Sequence, residues 1–326
     1  MKNILVTGGA GFIGSNFIHH ILKRESDIHI INLDALTYAG NPTNLDNLPN
    51  PARYTFVEGN ICREQELSCI MHQYDINTIV HFAAETHVDK SICTPKRFMR
   101  TNIMGTFALL EEARKHSIRF HHVSTDEVYG SLSPGDAPWT EASPYAPNSP
   151  YSASKAASDH LVRSYGHTYG VAYTITNCTN NYGPRQHPEK LIPLTITNAL
   201  KGEQIPVYGD GQQIRDWIYV DDHCEAIRLV LERGKIGETY NVGGGNQPSN
   251  FEIINTICDI LDENVLSTTI RTYKDLIQHV EDRPGHDRRY AIDSTKIRKE
   301  LGWRPRKSLQ EGFMETVKWY VERATK

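Results

Sequence analysis

The sequence predicts an α/β chain: a doubly wound parallel sheet with a smaller α/β C-terminal lobe. Three observations predict it. Short β-branched runs alternate with helical patterns through the first half, and such alternation builds a parallel sheet covered on both faces. A glycine-rich turn, Gly8-Gly9-Ala10-Gly11-Phe12-Ile13-Gly14, stands between the first such run and the first helical pattern. After Tyr182-Gly183-Pro184 the pattern becomes less regular and richer in turns, which marks a second lobe.

The elements follow in order. NILVT (3–7) is a strand and SNFIHHILKR (15–24) an amphipathic helix. IHIINLD (28–34) and YTFVEGN (54–60) are strands, and CREQELSCIMHQY (62–74) is helical. NTIVHFAA (77–84) is a strand before one long helix, RFMRTNIMGTFALLEEARKH (97–116). RFHHVST (119–125) is the next strand, SKAASDHLVRSYGHTYG (154–170) a helix and VAYTITN (171–177) a strand. The chain then returns to the sheet, with WIYVDDHCEAIRLVLERG (217–234) and ETYNVGG (238–244) giving another helix and strand. FEIINTICDILD (251–262) and SLQEGFMETVKWYVERA (308–324) are helices of the second lobe. The expected division is residues 1–183, with a return segment at about 217–247, against residues 184–216 and 248–326.

Composition narrows the function. The 326 residues are 39% hydrophobic and 23% charged, ordinary for a globular chain with a sizeable core. A net charge of −4 argues against nucleic acid as the main partner. Six cysteines without a Cys-x-x-Cys pair point to plain thiols in a reduced compartment, the cytoplasm. Fifteen histidines raise the question of metal, but none of the usual ligand spacings appears, so no metal is expected. His19 and His20, like His121 and His122, are adjacent and point in different directions. MKNILVTGGAG does not read as a signal peptide, and no run of eighteen apolar residues predicts a membrane span.

The glycine turn has the context of a dinucleotide site. It follows a strand and opens a helix, so backbone N–H groups can meet a pyrophosphate at the helix N-terminus. Asp34 ends the second strand, twenty residues after Gly14. A carboxylate there can bind both ribose hydroxyls and repels a 2′-phosphate. With no Arg in Ala35-Leu36-Thr37, the expected cofactor is NAD on a Rossmann-type sheet.

Two further clusters suggest chemistry. Tyr151 and Lys155 lie four residues apart at the start of a helix, on one face. A nearby ammonium favours the phenolate, which can take a proton from an alcohol. HHVSTDEVYG then sets Thr125, Asp126 and Glu127 at the end of a predicted strand. Side chains alternate along a strand, so two adjacent carboxylates serve one site only if the strand ends there and the chain turns. In the second lobe, Tyr208 could stack on a base and Arg215 clamp a phosphate. Arg283 and His286 fall in a basic Pro-Gly turn suited to a pyrophosphate.

Together the glycine motif, the Tyr-Lys pair and Thr125 resemble the extended short-chain dehydrogenase/reductase family. AAETHVDKSI (83–92), STDEVYG (124–130), SPYSASKAASDHLVRSY (149–165), NCTNNYGP (177–184), PEKLIP (188–193), PVYGDGQQIRDWIYV (206–220) and DRPGHDRRYAID (282–293) look, more specifically, like the dTDP-glucose 4,6-dehydratases of that family. The likeness covers nearly the whole chain. It implies oxidation of a hexose at C4, loss of water across C5 and C6, and return of the hydride to C6. Thr125, Tyr151 and Lys155 would act at C4, Glu127 would be the base at C5, and Asp126 the acid for the departing C6 hydroxyl. Such an acid needs a raised pKa, which burial and the neighbouring Glu127 could supply.

The resemblance implies cofactor contacts at Gly8, Gly11, Phe12, Ile13, Gly14, Asp34, Asn60, Ile61, Ala83, Ala84, Thr101, Tyr151, Lys155 and Asn181. It implies nucleotide-sugar contacts at Thr86, Thr125, Asn180, Lys190, Leu191, Val207, Tyr208, Arg215, Asn250, Arg283 and His286. It also implies a homodimer through the helices around residues 101–115 and 152–165. Asn60 stands where the family commonly has Asp beside the adenine, Ala35 where it has Lys, and Lys90 where it has Arg. The same chemistry on UDP-glucose or another nucleotide hexose stays open, as do a 4-epimerase and a decarboxylase of the family. The last two do not need Asp126. A degenerate NAD-binding sensor would be expected to lose Tyr151, Lys155 or the acid pair, and all are present.

Overall fold

The computed structural model describes residues 2–265, 270–282 and 285–324. The first half runs strand by strand as the alternation predicts. Asn3–Thr7 (β1) leads through the glycine turn into Phe12–Arg24 (α1), then His29–Asp34 (β2), Tyr54–Glu58 (β3), Glu64–Tyr74 (α2) and Thr78–His81 (β4). Val88–Cys93 (α3), Pro95–Phe98 (α4) and Thr106–Lys115 (α5) precede Arg119–Thr125 (β5). Pro150–Tyr169 (α6), Tyr173–Cys178 (β6) and the short Asn180–Tyr182 (β7) complete it.

The second half contains Leu191–Lys201 (α7), Ile205–Tyr208 (β8), Trp217–Tyr219 (β9), Val220–Arg233 (α8) and Thr239–Val242 (β10). Asn250–Asn264 (α9), Ile277–Val280 (β11), Thr295–Leu301 (α10) and Leu309–Ala324 (α11) follow.

Seven strands form one parallel sheet in the order β10-β6-β5-β4-β1-β2-β3. The chain winds outward from β1 to β2 and β3, then returns to β4 on the other side. Between β1 and β4 the strand order reverses, and a crevice opens beyond the carboxyl ends there. Both faces are covered. On one, Leu67, Leu109 and Val162 pack with Ile79 and Phe120. On the other, Phe17, Ile18, Ile227 and Leu231 pack with Val6 and Val80. Along β5, His121 bonds to Thr174 and Thr176, while His122 faces Asp159, as alternation requires.

The long helix expected over 97–116 differs in its first half. A π-helical stretch, Met99–Gly105, separates α4 from α5. Single π turns occur often at functional sites. Here the stretch buries Asn102, whose side chain accepts from the Glu85 N–H (2.8 Å) and donates to Ser154 (2.8 Å) and the Glu85 carbonyl (3.1 Å). It also packs Gly105 so closely that a Cβ would lie 2.4 Å from Ile61.

The second lobe has its own core, with Ile192, Ile196, Ile205, Ile254, Ile257 and Phe313 among its members. β8 pairs with β11, and β7 with β9, both parallel. The return to the sheet is made by α8, which packs on α1, and by β10, which pairs with β6. One segment departs from the expected division. α10 lies after residue 248, yet Ile297 and Leu301 pack with Val230, Tyr240 and Val242 at the edge of the large sheet. A seven-residue helix with a short apolar stripe gives no sequence sign of which core it joins.

Candidate functional site

The crevice is a cavity of about 320 Å³ beyond the ends of β1, β2, β4, β5 and β6. Its floor begins at the glycine turn. Gly8 has a φ of +75°, and a Cβ there would lie 2.7 Å from the Ala83 backbone. At Gly14 a Cβ would lie 2.4 Å from the Gly8 carbonyl oxygen. These two glycines let the turn close against β4 and α1. Gly11 caps α1 with no side-chain hydrogen bond. The first N–H groups of a helix lack intrahelical partners, so this end is open to an anion.

Asp34 reaches the same cavity. Its carboxylate accepts the Ala10 N–H (2.8 Å) and the Leu36 N–H (2.9 Å). Burial pushes its pKa up, and those two backbone donors oppose the shift. Asn60 turns its Oδ1 to the Cys62 N–H at 2.9 Å, which leaves the amide NH₂ as the group available to a base. Ile61, Ala83, Ala84 and Thr101 line the walls nearby. A closed glycine turn, an uncapped helix end and a carboxylate at the second strand fit a dinucleotide.

Thr125, Asp126, Glu127, Tyr151 and Lys155 meet at the other end of this cavity. β5 ends at Thr125, and Asp126–Tyr129 forms a 3-10 turn capped by the Thr125 hydroxyl. The turn breaks strand alternation, so both carboxylates line one space. The Thr125 hydroxyl donates to Asp126 Oδ1 (3.3 Å) and accepts the Glu127 N–H (3.3 Å). Asp126 is 2% exposed, and its Oδ2 has no hydrogen-bond partner among the described residues. Burial, then the Glu127 and Asp216 carboxylates, raise its pKa well above the usual range. Asp126 is thus built to hold a proton at neutral pH.

The Tyr-Lys pair behaves differently from expectation. Burial, then Glu127 and Cys178, push the Tyr151 phenol well above its ordinary value, while Thr125 hydrogen-bonds to it and opposes the shift. The Lys155 ammonium does not override this. It donates to the Val123 carbonyl at 2.9 Å and faces His122 Nε2 at 3.4 Å. Burial lowers the Lys155 pKa, opposed by Asp159 and Cys178. In this site a phenolate needs further positive charge beside it.

Several other expected residues line the cavity: Phe12, Ile13, Thr86, Asn180, Asn181 and Lys190. Asn181 is held by His223 at 2.8 Å, and Lys190 donates to the Thr86 carbonyl at 3.1 Å. Leu191, Val207, Tyr208, Arg215, Asn250 and His286 do not line it. Val207 is buried in the second core, and Tyr208 is 40% exposed. Arg215 lies over the Tyr290 ring at 4.4 Å and donates to the carbonyls of Ile214, Asp287 and Arg288. Its charge still reaches Asp126. His286 bonds to Asp282 at 2.6 Å. Arg283 lies outside the described residues.

The sequence reading missed some of the lining. Glu85, Gln186, His187 and Glu189 belong to it. Glu85 pairs with Arg97 (2.6 Å), and Glu189 with Lys90 (3.1 Å), which sits over the Tyr38 ring. Tyr290 and Asp216 were missed beside the acid pair. Burial, then Glu127 and Asp287, raise the Tyr290 pKa, and burial lifts Asp216 to about 7. Polar residues within quoted motifs were the available signal. Among the described residues, no group of three His, Cys, Asp or Glu side chains is arranged to hold a metal ion. No helix of theirs is long and apolar enough to cross a membrane.

A family model described as GDP-mannose 4,6 dehydratase matches residues 5–316. A dTDP-glucose 4,6-dehydratase of Neisseria gonorrhoeae is 51% identical over 100% of this chain and 97% of that protein. One from Salmonella typhimurium is 52% identical over 98% and 92%. The crystal structure of a dTDP-glucose 4,6-dehydratase from Streptomyces venezuelae, solved with NAD bound, superposes with a TM-score of 0.93 at 46% identity, covering 99% of this chain and 98% of that one. A UDP-glucose 4-epimerase from Thermotoga maritima has a TM-score of 0.88 at 30% identity, with 99% of each chain covered.

Proposed function

The chain belongs to the GDP-mannose 4,6 dehydratase family, and from that premise we propose that it converts dTDP-glucose to dTDP-4-keto-6-deoxyglucose with NAD as cofactor. The observation that carries this reading is the acid pair. Asp126 and Glu127 share the cavity of Tyr151 and Thr125, and Asp126 is held protonated. Oxidation or epimerisation at C4 needs no such acid; expulsion of a C6 hydroxyl does.

NAD bound at the glycine turn supplies the hydride acceptance and hydride return that make the overall reaction redox-neutral. Gly8, Gly11, Phe12, Ile13 and Gly14 would hold its pyrophosphate, Asp34 a ribose, and Asn60 with Ile61 the adenine. Ala83, Ala84, Thr101 and Asn181 would line the rest. Tyr151 and Thr125 take the proton of the C4 hydroxyl, with Lys155 fixed beneath them. The ketone at C4 acidifies C5. Glu127 then removes the C5 proton while Asp126 protonates the leaving C6 hydroxyl. Thr86, Asn180 and Lys190 would face the sugar nucleotide. Leu191, Val207, Tyr208, Arg215, Asn250, Arg283 and His286 would hold its nucleotide end.

We assign NAD binding to residues 1–183 with the return segment at about 217–247, and substrate binding to 184–216 and 248–326, α10 excepted. A cytoplasmic homodimer completes the proposal. Met104 and Tyr169, both more than half exposed on the helices around 101–115 and 152–165, support that contact. Sedimentation equilibrium returning the mass of one chain would refute the dimer.

The function is tested by mass spectrometry after incubation with dTDP-, UDP-, CDP- and GDP-glucose in heavy water. Loss of one water from dTDP-glucose, with deuterium at C5, is the expected result. Turnover of another nucleotide alone would correct the substrate, and no water loss from any would refute the reaction.

A further inference from the structure

The reaction proposed above, on which this inference rests, leaves the site one proton out of place after every turnover. The C4 hydroxyl proton ends on the Tyr151 oxygen. The C5 proton taken by Glu127 returns to C5 when the hydride removed from C4 arrives at C6. The C6 hydroxyl leaves as water with a proton from Asp126. The sugar has lost H₂O, Tyr151 has gained a proton and Asp126 has lost one. A second turnover requires one proton to pass from Tyr151 to Asp126.

We propose that the Thr125 hydroxyl carries that proton back. It donates to Asp126 Oδ1 at 3.3 Å, accepts the Glu127 N–H at 3.3 Å, and hydrogen-bonds to the Tyr151 phenol. Those contacts use its one donor and two acceptor positions. After turnover the chain of bonds reads Tyr151 O–H to Thr125 Oγ1, and Thr125 O–H to the Asp126 carboxylate. Moving each proton one step along breaks the Tyr151 O–H bond, replaces the Thr125 proton and forms an Asp126 O–H bond. Tyr151 regains its negative charge, Asp126 becomes neutral, and no outside reactant is consumed.

The surroundings favour this internal route. Tyr151 and Thr125 are each 8% exposed and Asp126 2%, so exchange with bulk water is hindered. The Asp126 carboxyl has Thr125 on Oδ1 and no partner on Oδ2 among the described residues. Thr125 and Asp126 are chain neighbours at the rigid end of β5, in register with Cys178, which fixes their spacing.

The test compares first and later turnovers of NAD-loaded wild type, Thr125→Val and Thr125→Ser by rapid quench with dTDP-glucose. Thr125→Val is expected to release a burst of one product per site. It should then run roughly a hundredfold slower, the lower range for loss of a positioned proton-transfer group. Formate or acetate should speed that slow phase by recharging Asp126 from solution. Thr125→Ser should show no burst. Equal slowing of first and later turnovers in Thr125→Val, or its failure already in the first, would confine the hydroxyl to C4 oxidation and overturn the relay. Should Thr125→Val not fold, Thr125→Ala is read by the same criteria. A wild type that loses no water would instead overturn the function itself.

Discussion

Asp126 sits where β5 gives way to a turn, with one carboxylate oxygen on the Thr125 hydroxyl and the other without a protein partner. Its proton is retained because burial disfavours the charge and two other carboxylates, Glu127 and Asp216, add repulsion. A folded-state pKa raised above the unfolded value gives stability that is full at low pH and is lost as pH rises through the folded value. Asp126→Asn keeps the neutral form at every pH. Its thermal stability should equal wild type in acid and exceed it in mildly alkaline buffer, measured by calorimetry across pH. Water loss should fall about 10²-fold or more, since the amide cannot donate an acidic proton. A variant less stable than wild type in alkali would contradict the protonation assigned to Asp126. Thr125, Asp126 and Glu127 were legible as a group in the sequence. Tyr290 and Asp216 were not, because only folding brings residues some ninety and more positions away against the turn.

Among the elements, the junction of β1, the glycine turn and α1 was readable because its chemistry is local. A Cβ at Gly14 would meet the Gly8 carbonyl and Gly9 Cα, both backbone atoms that cannot swing aside. Gly14→Ala should therefore cost about 1–3 kcal/mol of stability, the usual range for overpacking. NAD affinity should drop roughly tenfold or more, as about 1.4 kcal/mol of displaced turn geometry implies. Calorimetric titration checks it, and unchanged affinity would mean the pyrophosphate sits elsewhere. Other elements were not readable. α7 carries Pro193 and three β-branched residues in LIPLTIT, so it does not look helical; the proline is tolerated because it lies in the first turn. The π-helical stretch before α5 answers to Asn102 bridging Glu85 and Ser154, contacts that no periodicity displays.

At the scale of the molecule, the segment 285–293 ties the two lobes together behind the acid pair. Arg289 donates to Gln247 in the second lobe and to the Ser133 and Asp136 carbonyls in the loop after β5. Leu132 and Trp139 return backbone bonds to Arg289 and Ala291. Arg289→Met keeps much of the packing and removes the charged donors. It should lose about 2 kcal/mol in urea unfolding, in the range for hydrogen bonds to a charged group. It should also raise KM for the sugar nucleotide more than it lowers kcat, because the lobes hold substrate between them. An unchanged KM would mean the segment serves stability alone.

By itself the sequence determined the parallel sheet, the glycine turn, Asp34 and the reactive set from Thr125 to Lys155. Each rests on residues close in the chain, where strand alternation, helix spacing and turn chemistry act directly. Tertiary structure alone decided the ionisation of that set. Burial and distant neighbours hold Asp126 and Tyr151 protonated, and Val123 and His122 take the Lys155 ammonium. It also decided that α10 joins the large sheet rather than the second core. Desolvation and packing depend on which segments close over a group, and chain order does not record that.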